Sequence, residues 1–189
     1  MRKGLKNKAF ILLTLAAIAA SVFLSGCSRQ NANSGSSSIE SSTQAVTFTD
    51  ALGRSVTVRS ADRVASLLGS FSEVWTLAGG KLVASVDDAW NSFDLGLPDD
   101  AVKLGAILEP NTELLIASRP DFVIASSNTE PDVAMRGTLE NAGITVAYFD
   151  INNFDDYLNM LNICTDITGR KDLYEKNGTS VRDEIERPK

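Results

Sequence analysis

The sequence predicts an α/β protein with a mainly parallel sheet, an N-terminal β-hairpin and a long C-terminal helix. Three observations carry that expectation. Short apolar runs alternate with helical patterns from Arg63 to Phe149, the order that gives parallel strands joined by right-handed crossovers. Phe122-Val123-Ile124-Ala125 is apolar without interruption, as a strand covered on both faces must be. The residues on either side of Asp50-Ala51-Leu52-Gly53-Arg54 alternate at period two.

Taken in order, Val46–Thr49 and Ser55–Val58 are the arms of the hairpin, expected as an edge decoration. Arg63–Leu68 is a buried strand. After Gly69, the pattern Ser70-Phe71-Ser72-Glu73 has the spacing of a capping box opening a helix through Leu77, which Gly79-Gly80 ends. Leu82–Val86 is the next strand and runs into Asp87–Phe93, a loop rich in acidic and aromatic side chains. Pro110-Asn111 combines a restricted φ with a side-chain oxygen able to cap Glu113-Leu114-Leu115-Ile116, and Pro120 stops that helix. The Phe122–Ala125 strand then empties into Ser126-Ser127-Asn128-Thr129, a polar loop at a carboxyl strand end, where open α/β sheets place ligands. Asp132–Asn141 reads as a helix closed by Gly143, Thr145–Phe149 as a strand, and Asp155–Thr168 as a helix stopped by Gly169. Leu173–Arg187 reads as a long polar helix weakened by Gly178, and the small core should depend on its packing back on the body.

The first 45 residues stand apart. Arg2, Lys3, Lys6 and Lys8 precede the apolar run Ala9–Phe23, the layout of a secretory signal. It ends in Leu24-Ser25-Gly26-Cys27, which resembles the bacterial lipobox, whose cysteine receives diacylglycerol. The alternatives for Cys27 are an ordinary residue at the end of a plain signal peptide, or a free thiol. Ser28–Ala45 has one large aliphatic residue, Ile39, and reads as a flexible tether. The expected division is residues 1–26 as signal, 27–45 as lipidated cysteine and tether, 46–170 as the α/β lobe and 171–189 as the start of a further helix. With Cys27 lipidated, Cys164 is the only other cysteine, and its apolar surroundings predict a buried thiol.

Composition narrows the chemistry. The chain has 18 basic and 24 acidic residues; losing the four basic residues of the leader leaves a net charge of −10, a poor match to nucleic acid. There is no histidine, so a Ser-His-Asp triad, a Cys-His pair and histidine-ligated metal or haem are excluded on inventory. No glycine-rich phosphate cradle follows a strand. Neither an enzymatic role nor a resident cofactor or metal is expected. Asp87-Asp88, with Asp94, Asp99 and Asp100 downstream, reads as a solvated acidic loop with one residue capping a turn; an oxygen-ligand Ca²⁺ site lacks the regular spacing of a calcium loop.

Taken together, the exported leader, the hairpin, the segment Arg63–Gly80, the pattern Gly105…Pro110-Asn111-x-Glu113…Pro120-Asp121-x-Val123, then Gly143-Ile144-Thr145-Val146 and Phe154-Asp155-Asp156-Tyr157 carry a likeness. From Val46 onward the chain resembles the substrate-binding lipoproteins of ABC importers for iron-siderophores, haem and cobalamin, the class III solute-binding proteins. The resemblance implies a Rossmann-like lobe, a lipid-anchored extracytoplasmic location and a ligand held in a cleft between two lobes. It places Ser70, Phe71, Asp88, Trp90, Ser127 and Asn128 in the first lobe's half of that cleft. It also makes Glu113 the acidic residue that pairs with a permease arginine, although helix N-terminus electrostatics would equally favour a carboxylate there. The second lobe is absent from this sequence, which ends in or just beyond the lobe-connecting helix, so the chain is expected to be a fragment or a truncation. A half-cleft would bind weakly. Because the anticipated cleft loops contain no lysine or arginine, the ligand leans toward a hydroxamate siderophore or a corrinoid rather than a ferric catecholate. The rival reading is a surface lipoprotein whose lobe presents a protein-binding face and takes no small molecule.

Overall fold

The computed structural model describes residues 45–187. The leader, Cys27 and nearly all of the tether lie outside that range. The chain begins with β1 (Val46–Thr49) and β2 (Ser55–Val58), an antiparallel hairpin. There follow β3 (Val64–Ser66), β4 (Leu82–Ser85), β5 (Val102–Lys103), β6 (Phe122–Ser126) and β7 (Thr145–Phe149). These five form one sheet in the order β5-β4-β3-β6-β7, with every neighbouring pair parallel. The mainly parallel α/β lobe with its hairpin and C-terminal helix is therefore the observed fold. Strand β5 was not anticipated from the sequence, because two residues carry no readable period.

Alternation along β6 divides the core. Phe122 and Ile124 join Val64, Phe71, Trp75 and Leu161 on one face, whereas Val123 and Ala125 join Leu67, Leu115, Leu139 and Tyr148 on the other. Helices α1 (Gly69–Leu77) and α6 (Phe154–Thr168) supply the first cluster. The second takes Leu115 from α3 (Thr112–Ala117) and Leu139 from α5 (Arg136–Asn141). Between α1 and α3 in the chain lies the short α2 (Asp88–Asn91), where a loop was expected.

The Asn111 cap and the Gly169 stop match expectation, and the reciprocal cap at the start of α6 is new. The Asn111 side chain accepts the Leu114 N–H at 2.9 Å. Asn153 and Asp156 cap α6 reciprocally, and Gly169 ends it at φ +70°. The Ser70–Glu73 capping box does not form. Helix α1 starts two residues earlier, with Leu68 at the cap, and its first N–H is taken by a carboxylate from α2. The helix expected over 132–141 is two helices, α4 (Glu130–Ala134) and α5, broken at Met135.

The hairpin is more than decoration. Val56 and Val58 are buried in the first cluster. In the hairpin loop, Asp50 accepts the N–H groups of Leu52 and Arg54 and holds the Arg54 guanidinium at 2.6 Å. Arg54 in turn reaches Glu140 and the Val146 carbonyl, and its guanidinium lies 5.0 Å from the centre of the Tyr148 ring. Ala51 N–H donates to the Tyr148 carbonyl, so the loop clamps the edge strand β7.

The last helix is α7 (Lys171–Tyr174), a π-helical turn over Glu175–Thr179, and α8 (Ser180–Glu186). The π turn contains Gly178, where a Cβ would come within 3.1 Å of Leu158 and 3.2 Å of Leu161. The weak helix former is thus the residue that lets this segment approach α6. Tyr157 donates to the Asn177 carbonyl and Asn177 to the Leu77 carbonyl, tying the segment to α6 and α1. Cys164 is fully buried beneath it, and burial pushes its thiol pKa up, as expected of a packing residue.

Asp50→Ala leaves the Arg54 guanidinium and the backbone N–H groups of Leu52, Arg54 and Tyr148 without their carboxylate, so urea unfolding should show a loss of about 3 kcal/mol. A loss below about 1 kcal/mol would show that the clamp on β7 is dispensable.

Candidate functional site

Because α1 runs back across the sheet from the end of β3, its first turn sits at the carboxyl end of the strands, beside the loops that leave β6 and β7. There the structure forms an open cavity of about 420 Å³. From α1 and the residue before it come Leu68, Ser70, Phe71, Glu73 and Val74. The β6 loop contributes Ser126 and Asn128, the β7 loop Asp150, Ile151 and Asn152, and α6 contributes Tyr157.

Of the anticipated ligand residues, Ser70, Phe71 and Asn128 meet here. Phe71 is only 3% exposed; it forms floor rather than wall, with its ring edge-on to Phe149. Asn128 is exposed, its side-chain amide donating to Asp150 at 2.6 Å and its backbone N–H to the Ser126 hydroxyl. Ser127 is turned away, because both its N–H and its hydroxyl donate to the Phe149 carbonyl.

Asp88 and Trp90 do not line the cavity either. Asp88 Oδ2 accepts the Gly69 N–H at 3.0 Å, so this carboxylate caps α1 across the loop. Gly69 permits the approach, since a Cβ there would fall 2.7 Å from the Asp88 carboxylate and the Phe93 ring. Burial pushes the Asp88 pKa up, and the Gly69 N–H pulls it back. Trp90 lies under Lys103, whose ammonium is 5.0 Å from the ring centre. A cation therefore stands at the carboxyl end of β5, where the sequence reading found none. Among the described residues no group of three or more acidic or cysteine side chains is placed to hold a metal ion. Glu113 is exposed in the first turn of α3.

Glu73, Asp150, Ile151, Asn152 and Tyr157 were missed, whereas Ser126 belongs to the loop the sequence had marked. The rule that selected Ser126–Asn128 would have found Asp150–Asn152, since they follow the next strand in the same way. Glu73 was absorbed into a cap it does not make, and Tyr157 into the apolar stripe of α6.

One group behind the wall is under electrostatic stress. Asp132, in α4, is fully buried; its Oδ2 accepts the Ser126 N–H at 2.9 Å while Oδ1 has no partner. Burial raises its pKa to about 7, against the opposing pull of that N–H.

The family model for periplasmic binding proteins matches residues 64–189. This chain belongs to the periplasmic binding protein family. That family implies an extracytoplasmic location, and among the described residues no helix is long and apolar enough to cross a membrane. Family members are substrate-binding proteins rather than enzymes. No curated protein matches the chain. Among solved structures, the siderophore binding protein BauB, bound to two acinetobactin molecules and ferric iron, is 18% identical with a TM-score of 0.59. That match covers 75% of this chain and 52% of BauB. The catecholate-siderophore binding protein VctP of Vibrio cholerae is 15% identical with a TM-score of 0.61, over 73% of this chain and 50% of VctP. The vitamin B12 binding protein BtuF of Vibrio cholerae is 20% identical with a TM-score of 0.56, over 66% of this chain and 48% of BtuF. The likeness is one of fold, and the chain spans about half the length of these relatives.

A carboxyl whose folded pKa is raised stabilises the fold fully below its unfolded value near 4, and that contribution is lost as pH rises through about 7. Relative to Asp132→Asn, the protein should therefore lose on the order of 2 kcal/mol between pH 5 and pH 8, read by urea unfolding at each pH. Parallel curves for the two proteins would show that Asp132 titrates normally.

Proposed function

We propose that this chain is an extracytoplasmic solute-binding lipoprotein that captures a ferric siderophore or related metal chelate for delivery to an ABC importer. The observation that carries the reading is the cavity formed by Ser70, Ser126, Asn128 and Asn152 at the carboxyl ends of β3, β6 and β7, in a chain of the periplasmic binding protein family. Open parallel sheets hold ligands at that edge, where the main chain leaves the ladder. The siderophore and vitamin B12 binders with the same fold support the ligand class.

In this reading Cys27 carries the lipid anchor and residues 28–45 form the leash that lets the lobe reach its permease. Residues 171–189 begin the helix leading to a second lobe. Glu113 is the docking carboxylate. It starts α3, so it stands at the strand end that also carries the cleft, and Leu108 and Leu114 beside it are 74% and 43% exposed. An acid flanked by exposed leucines suits a partner offering an arginine in an apolar setting.

Thermal unfolding with a panel of ferric hydroxamates, ferric catecholates, haem and cobalamin tests the reading. One member at about 100 times its Kd should raise Tm on the order of 5–10 °C. Asn128→Ala should lower that ligand's affinity. Glu113→Ala should leave affinity intact while weakening permease association. An unshifted Tm across the panel would instead favour the protein-interaction lobe, and lost ligand affinity in Glu113→Ala would remove its docking role.

A further inference from the structure

We propose that the cleft selects for positive charge: its ligand is a chelate or other solute carrying a net cationic group, and anions are rejected. The inference rests on the solute-binding reading and adds to it the sign of the ligand.

The residues lining the cavity include two carboxylates, Glu73 and Asp150, and no lysine or arginine. Glu73 is exposed; burial first, and the Glu73 charge after it, push the Tyr157 phenol pKa up. Helix N-termini are the usual means by which an α/β cleft attracts an anion without basic side chains, each equivalent to roughly half a positive charge. At the two longer helices that start at this rim, a carboxylate already sits beside the N-terminus. Asp88 sits on the Gly69 N–H at the start of α1, and Asp156 accepts the N–H groups of Asn152 and Asn153 at 2.9 and 3.2 Å at the start of α6. A carboxyl group therefore stands against the partial positive charge of each helix end. The Lys103 ammonium lies at the carboxyl end of β5, two strands from β3, roughly 10 Å away at ordinary strand spacing, and faces Trp90.

The remaining surface suits a partly apolar cation. Phe71, Val74 and Ile151 give an apolar floor and wall. The Ser126 hydroxyl, 4% exposed, accepts the Asn128 N–H and keeps its proton to donate to a ligand oxygen. An anionic chelate placed here would meet carboxylates and find no donor of full positive charge.

The test uses the full chain and three probes: a ferric trihydroxamate with a free terminal ammonium, net charge +1; its N-acetylated neutral counterpart; and a ferric tris-catecholate, net charge −3. Calorimetric titration at low salt should give a Kd about tenfold lower for the cation than for the neutral chelate, with no saturation by the anion. High salt should compress that ratio toward one, and so should Glu73→Gln combined with Asp150→Asn, which preserves an acceptor for Asn128. Equal affinity for cation and neutral chelate, or preference for the anion, would overturn the charge selectivity while leaving solute binding in place. Failure of all three to bind would overturn the charge selectivity, and failure of haem and cobalamin as well would overturn solute binding.

Discussion

Burial of the central strands on both faces dictates where this protein can present polar groups. Val64, Ala65 and Phe122–Ala125 are wholly inaccessible, and their backbone groups are consumed by the parallel ladder. Polar side chains can then appear only where the strands end. At the carboxyl ends of β3, β4 and β6 the last residue is a serine in every case: Ser66, Ser85 and Ser126. The first two act structurally. Ser85 donates to the Ser66 carbonyl and shares a 2.8 Å hydrogen bond with Ser72, which pins α1 to the sheet. The third opens into the cleft.

The same constraint explains what the acidic residues do. Most acidic side chains are exposed, and a few more enclosed ones hold the main chain. Asp50, Asp88, Asp132 and Asp156 each accept a backbone N–H at a turn or helix start, positions where the chain leaves regular structure and a donor would otherwise be orphaned. Asp88, Asp132 and Asp156 do this around the loops that carry the cleft, so carboxyl groups fix the shape of those loops.

How much of this is legible in the sequence follows from range. Local chemistry reads well: the Asn111 cap, the buried β6 run and the Gly169 stop all depend on residues within a few positions of one another. Contacts between distant segments do not. The Ser70–Glu73 spacing is a valid cap signal, overridden because Asp88, 19 residues on, takes the Gly69 N–H. The hairpin looks peripheral until Ala51 is found bonded to Tyr148, and β5 is too short to show a period. For the site, the carboxyl-end rule located the β3 and β6 loops, and applied to β7 it would have added Asp150–Asn152. That Asp88 and Ser127 are engaged with backbone, and Trp90 with Lys103, is a matter of tertiary geometry.

The central claim is the location of the ligand at the carboxyl ends of β3, β6 and β7, and paramagnetic NMR tests it most directly. In the ¹⁵N-labelled chain titrated with a ferric trihydroxamate, against its gallium counterpart as diamagnetic control, amides of Ser70, Ser126, Asn128 and Asn152 should broaden first. Gly79, Gly80 and Lys81, which precede β4 at the opposite end of the sheet, should keep their line widths. Broadening centred on Gly79–Lys81, or spread evenly over the lobe, would contradict the assignment of the cleft.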